Sequence, residues 1–130
     1  YTLHFYSATH KESYREKFKT ALANGLPVMV TEFGVSEASG AGSMNTGEAK
    51  KWLDLLDANQ ISYFAWSLSN KAETASLLKS GTGKKSGWKS SDLSPAGKWV
   101  FGQYRSRGEQ STVPAQTVKL SKPTIKAVNR

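Results

Sequence analysis

Apolar and polar positions alternate over the first six residues, with Leu3 and Phe5 on one side and Thr2, His4 and Tyr6 on the other, so a strand is expected over Tyr1–Tyr6. From Glu12 to Asn24 the period lengthens. Tyr14, Phe18 and Leu22 recur four apart with Ala21 beside them, and Asn24-Gly25 is a stop signal, which predicts an amphipathic helix. A second strand is expected over Pro27–Phe33, where Val28, Val30 and Glu32 share a face. After a loop rich in Gly and Ser, 34–44, Asn45 and Glu48 resemble a capping pair. The helix behind them aligns Ala49, Trp52, Leu53 and Leu56 before Asn59 ends it.

Ile61–Ser67 predicts a third strand, with Ser62, Phe64 and Trp66 on one face and Ile61, Tyr63 and Ala65 on the other. Both faces are largely apolar or aromatic, as expected of a strand covered on both sides. A long polar loop, 68–93, leads to Ser94-Pro95, an N-cap and first-turn proline that open a last helix burying Trp99, Val100 and Tyr104. Strand and helix thus alternate three times, with connections long enough for crossovers, so the strands should be parallel neighbours in an α/β fold. The folded part is expected over 1–105. From Ser106 the chain is rich in Ser, Thr, Pro, Gln and Lys, and 106–130 reads as a linker tail with Thr124–Val128 as the start of a following β module.

A length of 130 residues suits one domain with a real core. The chain opens inside a strand without an initiator Met, so it reads as a piece of something longer. It holds no apolar run long enough to span a bilayer, and no membrane partner is expected. The lack of cysteine removes disulfides, thiolate zinc sites and cysteine nucleophiles together. The net charge of +8 is not concentrated on the fold. Six positive residues from Arg105 onward face only Glu109, and Lys79, Lys84, Lys85 and Lys89 sit among Ser and Gly as in a solvated loop. No module that reads nucleic acid accompanies these charges, so that class of partner is set aside.

Gly42–Gly47 has the outline of a phosphate loop, but Glu48 and Ala49 stand where Lys and Ser or Thr are needed. A carboxylate at that helix start competes with phosphate. His4 and His10 lack partners at metal-ligand spacing, and no G-x-S-x-G elbow occurs, so neither a metal, a cofactor nor a serine nucleophile is expected.

What remains is an arrangement of strand ends. The run Leu26–Gly34 finishes on Glu32, and a bare acid at the end of a buried strand is costly to desolvate. Ligands of parallel α/β folds gather at the carboxyl ends of strands, where His4 and Tyr6, Glu32, and Trp66 would converge over one rim. An imidazole and a phenol can hold a carboxylate ionised and aimed, and an indole offers a flat face to a sugar ring. Each residue alone also has a structural reading: Tyr6 and Trp66 as core aromatics, His4 as a satisfied core histidine, Glu32 as a capped or lysine-paired acid.

The segments Leu3-His4-Phe5-Tyr6-Ser7, Pro27-Val28-Met29-Val30-Thr31-Glu32-Phe33-Gly34, Ala65-Trp66-Ser67-Leu68-Ser69-Asn70-Lys71-Ala72-Glu73 and Leu93-Ser94-Pro95-Ala96-Gly97 resemble, in order and spacing, the C-terminal part of a glycoside hydrolase family 5 endoglucanase, a bacterial cellulase. The resemblance covers Tyr1 to Arg105. It implies a (β/α)8 TIM barrel of which this chain supplies the last three βα units, and a secreted, extracellular, retaining endo-β-1,4-glucanase acting on cellulose, related β-glucans or cello-oligosaccharides. It further implies that Glu32 is the nucleophile, held by Tyr6 and flanked by His4, that Trp66 stacks on the sugar beside the cut, and that Lys71 and Glu73 bind sugars toward the non-reducing end. For Lys71 and Glu73 alone, a surface ion pair is the default reading.

One departure matters. The family's general acid/base lies in an Asn-Glu-Pro motif, which this sequence lacks. A retaining mechanism needs two carboxylates roughly 5–5.5 Å apart, and a full barrel needs about 250 residues. The chain alone is therefore expected to be inactive and not a stable monomer, with its open side covered by the missing N-terminal part of the barrel or by another chain. Two alternatives stand beside this one: a noncatalytic carbohydrate-binding piece using Trp66, Trp88 and Lys71, and an enzyme of the same family acting on β-mannan or xyloglucan.

Overall fold

The computed structural model describes residues 1–110. Three strands, β1 (Thr2–Tyr6), β2 (Met29–Gly34) and β3 (Tyr63–Ala65), form one parallel sheet in the order β1-β2-β3. They alternate with helices α1 (Glu12–Ala23), α2 (Thr46–Ala58) and α3 (Pro95–Gln110), as the alternating periodicities predict. A single cluster joins Phe5, Val30 and Phe33 of the sheet to Phe18 of α1, Trp52, Leu53 and Leu56 of α2, and Val100 of α3. Trp52 is its centre: fully buried, it stacks on Phe5 at 4.3 Å and lies tilted against Phe18 at 5.9 Å. Such aromatic pairs are worth about 0.5–1.5 kcal/mol beyond the area they bury.

The helix ends follow their local chemistry. Asn45 caps α2 by accepting the Glu48 N–H at 3.0 Å, and Asn59 closes it. Ser94 caps α3 by accepting the Gly97 N–H at 2.9 Å while its hydroxyl donates to the Ser76 carbonyl at 2.5 Å. One bond thus starts the helix and the other ties it to the preceding loop.

Several expectations need correction. On α1, Tyr14 is half-exposed and Arg15 occupies the buried face instead. Its guanidinium reaches Glu12 at 2.5 Å and Glu48 at 2.7 Å and lies 5.8 Å from the Trp52 ring centre, so the charge is satisfied inside. The third strand has three residues rather than seven, and Phe64 is 56% exposed, so that face is open while Tyr63 and Ala65 pack on the core. The polar loop 68–93 is not merely solvated. Ala75, Ser76, Leu77 and Leu78 are buried, Leu78 bridges Leu93, and a short 3-10 turn spans Ser90–Asp92. Trp99 is only partly buried, and Tyr104 is half-exposed, its ring 6.0 Å from that of Tyr63. Finally, α3 continues through Ser106 to Gln110, past the expected linker start, and Arg107 binds Asp54 and Asp57 of α2. The expected strand Thr124–Val128 lies outside the described residues.

Candidate active site

The site is built where β1 and β2 end. The two strands pair as Leu3 with Val30 and then His4 with Glu32, so one residue of β2, Thr31, is extra. Simple alternation would place Glu32 on the side of Val30, which is wholly buried in the core. The extra residue breaks that alternation and turns both Thr31 and Glu32 toward β1. The shared face expected for Val30 and Glu32 is thereby corrected. His4 now stands between them, with Nε2 at 2.9 Å from the Thr31 hydroxyl and Nδ1 at 3.6 Å from Glu32 Oε2.

Tyr6 grips the other oxygen. Its phenol donates to Glu32 Oε1 at 2.6 Å. The short distance is that of a hydrogen bond to an ionised acceptor, among the stronger kinds in proteins. Burial and the bond to Glu32 both push the Tyr6 hydroxyl well above its ordinary pKa, so it stays a donor throughout the neutral range. Gly34 makes this possible. A Cβ there would sit 2.5 Å from the Tyr6 ring, so only glycine lets the ring lie against β2. Glu32 keeps 20% of its side chain exposed and His4 53%, which leaves Oε2 approachable from the open side.

Trp66 follows β3. Its backbone N–H donates to the Phe33 carbonyl at 2.7 Å, one residue beyond Glu32, and its side chain is 42% exposed. Lys71 and Glu73 lie farther along and border a cleft of ≈ 960 Å³ shared with Lys79, Thr82, Lys84 and Asp92. No ion pair joins Lys71 to Glu73 among the described residues, so the surface-pair reading does not hold. Glu73 Oε1 is buried without a partner, Oε2 lies close to Gly40, and the carboxylate's charge is felt at Tyr6. Trp88 borders a separate groove of ≈ 460 Å³ with Phe101 and Arg105, so it does not share the Lys71 cleft.

The structure therefore brings His4, Tyr6 and Glu32 together and hangs Trp66 from the backbone beside them. Sequence reasoning missed Thr31 and His10, both of which touch this group. The four-residue spacing from Tyr6 to His10 was the available signal for the second.

This geometry can be set beside known proteins. The family model for cellulase (glycosyl hydrolase family 5) matches residues 1–72, which include all of the strand-end group. The chain belongs to glycosyl hydrolase family 5. An endoglucanase from Clostridium saccharobutylicum is 38% identical to this family-5 chain over 124 residues, covering 95% of the chain and 28% of that protein. A structure from Cytophaga hutchinsonii superposes with a TM-score of 0.81 at 41% identity, covering 85% of the chain and 36% of its own. A Thermobifida fusca endoglucanase catalytic domain, solved in complex with cellotetraose, superposes with a TM-score of 0.72 at 27% identity, over 81% of the chain and 34% of its own. The family-5 chain thus spans about a third or less of the length of these relatives.

Proposed function

We propose that this chain carries the nucleophile half of a retaining endo-β-1,4-glucanase, supplying the last three βα units of a (β/α)8 barrel. The observation that carries the reading is the Tyr6 bond to Glu32 Oε1 at 2.6 Å, which leaves Oε2 free at the open rim. In the proposed reaction Glu32 Oε2 attacks the anomeric carbon while the glycosidic oxygen leaves with a proton, giving a covalent glycosyl-enzyme that water then hydrolyses. Tyr6 fixes the carboxylate's rotation, and His4 borders the attacking oxygen. Trp66 stacks on the sugar next to the cut, and Lys71 and Glu73 bind sugars farther along.

The proton donor comes from elsewhere, because the chain has no Asn-Glu-Pro motif. The remaining strands of the barrel are the proposed partner, and Met29 and Phe64, 42% and 56% exposed, are available for them to cover. Alone, the chain is expected to be inactive. The substrate is cellulose or a related soluble β-glucan, a polymer too large to enter a cell, so the enzyme is proposed to act as a secreted protein. The test is Glu32→Gln in the chain combined with a separately made N-terminal portion of a family barrel. Activity on carboxymethyl cellulose should fall by roughly three orders of magnitude or more. A loss of less than about tenfold would favour a carbohydrate-binding role instead.

A further inference from the structure

The grip of Tyr6 on Glu32 depends on where the Tyr6 backbone is held, and that backbone lies at a sheet edge. β1 is the first strand in the order, and Ser7 sends its N–H across to Gly34 of β2 at 2.9 Å. Neighbouring residues of a strand point their N–H groups to opposite sides, so the Tyr6 N–H faces the unpaired side of β1. His10 meets it there: Nδ1 accepts the Tyr6 N–H at 2.8 Å, and the His10 N–H donates back to the Tyr6 carbonyl at 2.7 Å. The His10 carbonyl in turn accepts the Trp52 indole N–H at 2.7 Å, fastening the turn to the centre of the core. The ring packs on Tyr14 at 4.4 Å.

A backbone N–H can only donate, so Nδ1 must be bare and the ring neutral, with its proton on Nε2. Burial, which pushes His10 below the ordinary imidazole pKa, favours that form. The charged groups packed on this region are few. Lys17 lies over the Tyr14 ring at 5.2 Å, and Arg15 is bound between Glu12 on α1 and Glu48 on α2.

We infer that His10, as a neutral acceptor at Nδ1, is a positioning residue for the nucleophile: it pins the end of β1 so that the Tyr6 phenol meets Glu32 Oε1. The inference rests on the reading of Glu32 as the attacking group, and it assigns His10 no contact with substrate.

Two variants in the completed barrel test it. His10→Asn puts an amide oxygen near the place of Nδ1 and keeps the acceptor, whereas His10→Phe keeps a ring on Tyr14 and removes it. His10→Phe should lower kcat roughly tenfold with KM held within about twofold, and His10→Asn should restore kcat to within about threefold. In the wild-type protein, nitrogen NMR of the His10 ring should find Nδ1 unprotonated and Nε2 protonated, a readout that needs no variant to fold. A protonated Nδ1, or equal kcat in the Asn and Phe variants, would overturn the inference. Glu32→Gln run alongside separates the two readings: if it stays active, the nucleophile assignment has failed rather than the positioning role.

Discussion

α3 approaches the segment before it through bare backbone at Gly97. A Cβ added to Gly97 would sit 1.9 Å from the Leu77 carbonyl oxygen and 2.9 Å from its carbon, both backbone atoms that cannot rotate away. Ordinary contact is roughly 3.5 Å, so in Gly97→Ala the helix must retreat by about 1.5 Å. That oxygen also accepts the Ser94 N–H at 3.0 Å, so the retreat strains the bond that seats the helix start. Overpacking costs about 1–3 kcal/mol and a weakened hydrogen bond about 1, against a gain of about 1 for replacing Gly by Ala within a helix. The net loss is about 2 kcal/mol. Gly102, on the same helix, has nothing within 4 Å of an added Cβ, so Gly102→Ala should gain by about 0.5–1 kcal/mol. Urea unfolding of the completed barrel followed by circular dichroism would separate the pair by a midpoint difference of roughly 1 M. Equal midpoints would refute the argument that α3 docks through bare backbone at Gly97.

Two further outcomes are expected. Trp66→Ala in the completed barrel should raise KM roughly tenfold, equivalent to about 1.4 kcal/mol of sugar stacking, while stability stays within about 0.5 kcal/mol because the indole is 42% exposed; an unchanged KM would remove Trp66 from the substrate surface. Lys51 and Arg15 hold the Glu48 carboxyl below its usual range, so its contribution to stability is present above the unfolded value of about 4.3 and lost as pH falls through the folded one. Urea midpoints should therefore decline on acidification below that value, and Glu48→Gln should flatten the decline.

The parts of the fold set by local chemistry were readable beforehand. Asn45 and Ser94 announce helix starts because each offers an oxygen to an otherwise unpaired N–H, and the buried set Ala49, Trp52, Leu53 and Leu56 follows directly from helical spacing. What was not readable depends on partners distant in sequence. Arg15 is buried because Glu48 approaches it from another helix, and no pattern within α1 could reveal that. Loop 68–93 looks solvated, yet Leu77 and Ser76 are held inside by the start of α3. At the site, the residue types His4, Tyr6 and Glu32 were visible as strand-end chemistry, but their meeting was not guaranteed by periodicity. Alternation alone would have sent Glu32 to the side of Val30, and only the pairing of β2 with β1 shows the extra residue that prevents it.

That extra residue makes the chain's tolerance to changes in length uneven. Deleting Thr31 would restore regular pleating with Val30 and Phe33 still in the core and the acid still on the β1 side, but it would take away the hydroxyl that holds His4 Nε2. Insertions around Gly81–Gly83, where added atoms meet empty space, would leave Glu32 where it is. A lineage carrying this scaffold can therefore lengthen that distal turn without moving the acid, whereas losing the residue before the acid sets the neighbouring imidazole loose.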